Sequence, residues 1–200
     1  MSQLDELNIV QLALYTDDMN LSREAIVKQG LSLLDTYGLP DVSMRRIASM
    51  LGVQPSALYW HVSSKQELLA AMAEVILADL PPFPSSDLAR VPAWAARFHG
   101  LLMRHPNGAE LVWSVLSLQD QTTGLGAQIE KGLSKCGVPS NLVHGASRGI
   151  LYLILGHGFD EDQRAQAAQL GVVDQPHRAD SATTLDDAVA LFIAGIRTHT

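Results

Sequence analysis

Residues 43–69 read SMRRIASMLGVQPSALYWHVSSKQELL, and the fold is decided there. Ser43 is placed to cap a helix whose Met44, Ile47, Ala48 and Leu51 recur on one face, and Gly52 supplies the left-handed turn that stops it. Pro55, with no amide hydrogen to lose, opens a second short helix closed by Val62. Ser64 and Glu67 have the spacing of a capping box and start a third helix with the apolar stripe Leu68, Met72, Val75 and Ile76. A helix, a glycine-containing turn and a second short helix make a helix-turn-helix.

Upstream, Ser22 is a further N-cap, with Leu21 and Ile26 at the spacing of a hydrophobic staple. Ile26, Leu33 and Tyr37 recur at helical intervals up to Gly38, giving a helix of about four turns. Downstream, PPFP at 81–84 cannot continue a helix and marks the domain boundary. Further helices are expected at 87–104, 107–118, 122–136, 139–158 and 184–198, separated by the breaks at 105–108, Gly124, Gly126 and 137–139. Residues 159–183 are polar, with a weak helical pattern only over 161–170, and the rest of the stretch is expected to form a loop. No strand-like alternation and no repeat occurs. The expected fold class is all-α: a three-helix DNA-binding domain over 21–80 and a helical bundle for effector binding and dimerisation over 81–200. An acidic extension at 1–20 is either disordered or an extra helix using Leu4, Leu7, Val10, Leu12 and Leu14.

With 47% apolar and 18% charged residues, the chain has globular composition. The net charge of -7 is unevenly distributed. Residues 1–20 carry four acids and no Lys or Arg. Residues 21–70 carry five bases against four acids, and the remaining 130 residues hold nine bases against 13 acids. The only stretch that is not acidic is therefore the helix-turn-helix. The single cysteine, Cys136, excludes an internal disulfide and reads as a small buried apolar residue. No apolar run reaches the roughly 20 residues of a membrane span, and the acidic start is unlike a signal peptide, so a cytoplasmic protein with no membrane partner is expected.

Leu51-Gly52-Val53, Leu58-Tyr59-Trp60-His61-Val62 and Lys65 to Leu69 give the block 22–80 a resemblance to the DNA-binding domain of the TetR family of bacterial one-component regulators. The resemblance implies that Tyr59, His61 and Lys65 clamp the DNA backbone, with Trp60 beside them. The residue types agree. Gln54, Pro55, Ser56 and Ala57 form the first turn of the recognition helix, where Gln54 suits a base edge and Ala57 a thymine methyl. Lys65 stands at a helix N-terminus, whose amides favour the same phosphate. Ser43 and Arg45 begin the preceding helix and would touch backbone or base, with Arg46 a weaker candidate. Trp60 and Tyr59 also read as an aromatic core.

Operators for this motif are usually palindromic, so the expected partners are double-stranded operator DNA and a second copy of the chain. Leu142, Ala146, Ile150, Leu153 and Ile154 in one helix, and Leu185, Val189, Phe192 and Ile196 in the last, form stripes suited to a dimer interface or to packing within one subunit. A small, mostly apolar effector of unknown identity is expected at Trp94, Phe98, Met103, Trp113, Leu116 and Leu133, oriented by His99, Gln128 or Tyr152. An ordinary core explains the same residues. The alternative is a DNA-binding regulator controlled by a protein partner. No P-loop, GxGxxG, HExxH or GxSxG motif suggests an enzyme. His157 with Asp160 and Glu161, and His99 with His105, can be drawn as metal pairs. Seven histidines scattered over helices produce such pairs by chance, and no metal or cofactor is expected.

Overall fold

The computed structural model describes residues 21–118, 124–172 and 181–199. The extension 1–20, for which the sequence left disorder and an extra helix open, lies outside the described residues. Helix α1 (Arg23–Tyr37) starts where Ser22 Oγ accepts the Ala25 amide at 3.1 Å and stops at Gly38, whose φ of +83° suits glycine. Its inner face buries Ile26, Val27, Leu33 and Leu34. A Cβ at Gly30 would lie 2.8 Å from Met72 Sδ, so glycine lets α1 approach the helix carrying Met72. Tyr37, expected on the apolar face, is instead exposed beneath the Arg46 guanidinium, 4.0 Å from the ring centroid.

Helix α2 (Met44–Met50) is capped by Ser43 Oγ, which accepts the Arg46 amide at 3.3 Å. The turn through Gly52, φ +67°, leads into the single-turn helix α3 (Pro55–Leu58). Helix α4 (Lys65–Ile76) is capped by Ser64 Oγ, which accepts the Glu67 amide at 3.1 Å. The return bond of the expected capping box falls one residue early, with Glu67 Oε2 accepting the Ser63 amide at 2.7 Å and the Ser63 hydroxyl at 2.6 Å. Those bonds hold the Glu67 carboxyl below its ordinary pKa. Val75, placed in the apolar stripe by its spacing, is half-exposed; Ala70, Ala71 and Ala73 are buried with Leu68, Met72 and Ile76.

The helix stops at Ile76, before the prolines at 81–84 expected to end it, and the proline segment is pinned to the body. Phe83 is buried edge-to-face on Trp94 at 5.1 Å, its amide donates to Gln128 Oε1 at 3.3 Å, and Trp94 Nε1 donates to Pro81 O at 2.8 Å. The body consists of α5 (Val91–Leu102), α6 (Gly108–Leu118), α7 (Leu125–Lys135), α8 (Ser140–Gln169) and α9 (Ser181–Arg197). Helix α8 packs on α5, α6, α7 and α9, while α4 runs from the head onto α6. Buried side chains of head and body form one continuous apolar cluster. Among the described residues, no helix is long and apolar enough to cross a membrane.

One boundary differs from expectation: α8 does not stop at 158 but continues unbroken to Gln169, taking in the weak helical pattern at 161–170. Beyond Gly158 the helix is mostly solvated, with Asp160 and Arg164 ion-paired at 2.8 Å and Gln and Ala supplying helix propensity. The turn after Gly158 directs Asp162 inward, and a polar residue at an inner position hides an apolar stripe. Burial pushes the Asp162 carboxyl up to about 6 against the opposing Asn107 amide, with Glu161 and Glu110 adding to the rise. Its Oδ2 accepts no hydrogen bond. Asn107 has a φ of +62° and meets the head, because a Cβ on Gly38 would stand 2.7 Å from Asn107 Oδ1. A cleft of about 670 Å³ lies along this junction, between Asp35, Tyr37 and Pro40 on one side and Met103, Glu110 and Asp162 on the other.

Candidate nucleic-acid interface

The segment 54–65 is amphipathic across its turns. Leu58 and Val62 are wholly buried and anchor it to the head, which turns Gln54, Ser56, Tyr59, Trp60 and Lys65 to solvent. Pro55, Ala57 and His61 are half-buried between the two sets. Trp60 is 89% exposed and Tyr59 51%, so the reading of this pair as an aromatic core does not describe the fold. An indole left in water is a large apolar surface with nothing packed on it, the arrangement expected of a contact residue.

The cations around this face divide into engaged and available ones. Arg46 is ion-paired with Asp41 and stacked over Tyr37, which holds it away from a partner. Arg45 and Lys65 are exposed and have no ion-pair partner among the described residues. Lys65 is the first residue of α4, beside the amide-rich helix start. Ser43 keeps its hydroxyl on the cap of α2. A surface carrying an amide side chain, hydroxyls, an indole and two uncommitted cations on adjoining short elements can line a negatively charged backbone and reach base edges. Removing the cap that fixes Lys65, by Ser64→Ala, should cost about 1 kcal/mol of stability, read as a lower urea midpoint at unchanged slope.

The residues expected to hold an effector lie in different surroundings among the described residues. Trp94, Phe98, Leu116 and Leu133 are buried in the body core, with Trp94 and Phe98 edge-to-face at 5.6 Å. Trp113 and Tyr152 lie on the outside instead, partly exposed and 5.4 Å apart between ring centroids, with Arg148 over the tyrosine. Gln128 is exposed and accepts from the Phe83 amide, while Met103 faces the junction cleft. His99 Nε2 donates to the Glu161 carboxylate, 2.6 Å away, and burial lowers the imidazole's pKa against the pull of that carboxylate.

The expected dimer stripes also turn inward. Ala146, Ile150, Ile154, Leu185, Val189 and Ile196 are buried within the chain, because α9 packs onto α5 and α8 and uses these faces itself. Leu142 and Leu153 are half-buried at the margin, and the Phe192 ring rests on Gly149, where a Cβ would come within 2.3 Å of it. The outward face of the same helices carries Tyr152, Gly156, Phe159, Leu191 and Gly195. The signal for it was the spacing Gly145, Gly149, Tyr152, Gly156, Phe159, a heptad-like stripe of small residues and aromatics.

Residues 26–72 match the family model for bacterial regulatory proteins, tetR family. The chain is 47% identical over 57 residues to the tetracycline repressor protein class C of Escherichia coli, a match covering 28% of this chain and 26% of that protein. It spans between a quarter and a half, 26% to 46%, of the length of the curated relatives it matches most strongly. The crystal structure of Mycobacterium smegmatis BioQ superposes with a TM-score of 0.77 at 29% identity, covering 90% of this chain and 100% of that one. A structure of BioQ with its natural double-stranded DNA operator gives 0.73 at 29% identity, covering 90% of this chain and 100% of that one. With the exposed Gln54–Lys65 face on this helical scaffold, these matches lead to one assignment: residues 26–72 carry the domain of the tetR family of bacterial regulatory proteins.

Proposed function

We propose that the protein is a homodimeric, cytoplasmic repressor of transcription that binds a palindromic operator and is released from it by a small, mostly apolar ligand. The observation that carries the DNA reading is the 89% exposure of Trp60 on a rigid turn flanked by the uncommitted cations Arg45 and Lys65. In this reading Gln54, Ser56 and Ala57 face base edges in the major groove, and Tyr59, His61, Lys65, Ser43 and Arg45 hold phosphates. The support from relatives is that BioQ, which this chain resembles along nearly its whole length, is known with operator DNA.

Two copies would pair through the outward face of α8 and α9, where Tyr152, Gly156, Phe159, Leu191 and Gly195 form an apolar and small-residue strip. Leu142, Leu153 and Phe192 would border it. This spaces two recognition elements about one DNA turn apart. The effector reading rests on the apolar body lined by Trp94, Phe98, Leu116 and Leu133, which a ligand must open to enter. Opening it would shift α6, on which α4 rests, and so move the head. By linkage the operator must weaken ligand binding by the factor with which ligand weakens operator binding.

Fluorescence anisotropy with the promoter region beside its own gene tests the DNA assignment. Lys65→Ala should weaken all sites about equally and lower the salt slope by about 0.9. Gln54→Ala should relax discrimination at one base pair, costing about 1 to 3 kcal/mol at the preferred site. Equal loss of sequence preference in both variants would refute this division of labour.

A further inference from the structure

Of the metal pairs suggested by sequence spacing, the fold keeps His157 with Glu161 and takes Asp160 and His105 elsewhere. His105 Nδ1 pairs with Asp35 at 2.7 Å, and Asp160 pairs with Arg164. The fold instead brings His99 of α5 against His157 and Glu161 of α8. The two imidazole rings stand 5.1 Å apart, His99 Nε2 is 2.6 Å from Glu161 Oε2, and one donor atom from each of the three residues lies within 4.8 Å of the others. We propose that His99, His157 and Glu161 form a binding site for a first-row divalent cation of the zinc class.

The donor set selects the ion. Two imidazole nitrogens and one carboxylate oxygen suit Zn²⁺, Co²⁺ or Ni²⁺, whereas Mg²⁺ and Ca²⁺ prefer oxygen alone. His157 and Glu161 are four residues apart on α8 and therefore share a helical face, which makes one helix a bidentate chelator. His99 completes a three-ligand set from the neighbouring helix, the number that zinc accepts with a further position left for water or another oxygen. The Asp186 carboxylate on α9 is near enough for its negative charge to be felt at His99.

The geometry requires little movement. At bond lengths of about 2.0 to 2.1 Å, tetrahedral ligand atoms stand about 3.3 Å apart. The 2.6 Å contact must therefore open slightly, and the widest separation, within 4.8 Å, must close by about 1.5 Å, which side-chain rotation supplies. All three residues are half-buried, shielded from bulk water yet reachable from it.

The test uses the full chain, stripped with EDTA and titrated with Co²⁺ while the visible absorption is followed. One equivalent should give the intense bands of a four-coordinate site, and Zn²⁺ should displace it and raise the unfolding temperature. His157→Ala and Glu161→Gln each remove a ligand while leaving the core residues untouched, and the glutamine can still hydrogen-bond His99. Both should lose the absorption and bind Zn²⁺ more weakly by more than the roughly 10- to 100-fold typical of residues that only support a ligand. Absence of the bands in the parent protein, or unchanged Zn²⁺ affinity in the two variants with circular dichroism showing them folded, would overturn the assignment.

Discussion

Leu191→Asp should give a folded monomer that holds operator DNA about 10² to 10⁴ times more weakly, whereas Ile154→Asp should not fold. Leu191 is 75% exposed on α9, so an aspartate there meets only water in the isolated chain, and surface changes of that kind usually stay within about 0.5 kcal/mol. In the proposed dimer the same side chain is covered, and an isologous interface repeats the substitution on both subunits. Two unpaired carboxylates would then be buried, at several kcal/mol in all. The loss of operator affinity follows from losing the second head, because a tethered partner acts at millimolar effective concentration. Ile154, on the opposite face of α8, has no exposed surface at all. A carboxylate there is buried in the chain's own core, and several kcal/mol is a large part of the roughly 5 to 15 kcal/mol that holds a domain together. Sedimentation velocity and circular dichroism separate the outcomes. A stable dimer of Leu191→Asp would remove this face from the interface, and a folded Ile154→Asp would contradict the packing of α8.

The contrast between those two residues also shows what a hydrophobic stripe can and cannot say. Both helices read correctly as amphipathic, but periodicity reports that a face is covered without saying by what. Here α9 folds back onto α5 and α8, so Ile150, Ile154 and Val189 are covered by their own chain, and the glycine-bearing side is the one left exposed. The helix-turn-helix was legible almost residue by residue, since caps, Gly52 and Pro55 act locally and each sets its own geometry. Trp60 was ambiguous because its exposure depends on the inward anchors Leu58 and Val62 taking the core for themselves. The far end of α8 gave only a weak helical pattern over 161–170, because tertiary packing buries Asp162, a polar residue at an inner position. His157 and Glu161 were legible as a pair on one helix, but His99 joins them only where α5 meets α8 in the folded chain.

Phe98→Ala should cost about 3 to 5 kcal/mol, and its size decides how the body accommodates a ligand. Phe98 has no exposed surface and stands edge-to-face with Trp94 at 5.6 Å, which in turn packs on Phe83 at 5.1 Å. Deleting its ring removes the transfer energy of a buried phenyl group and one aromatic contact of about 0.5 to 1.5 kcal/mol, and leaves a cavity that the rigid chain Phe83–Trp94 can fill only in part. The residual space is lined by apolar groups and should stay dry. A small apolar molecule such as benzene should therefore bind the variant and restore part of the lost stability in proportion to its concentration. Urea unfolding followed by Trp94 fluorescence measures the cost, and repeating it with saturating benzene measures the recovery. The full cost with recovery means that the effector of the natural protein must displace packed side chains, so its binding energy is the source of the movement at α6. A cost under about 1 kcal/mol would mean that the site is already open in solution, and the mechanism in which ligand entry drives the head apart would then fail.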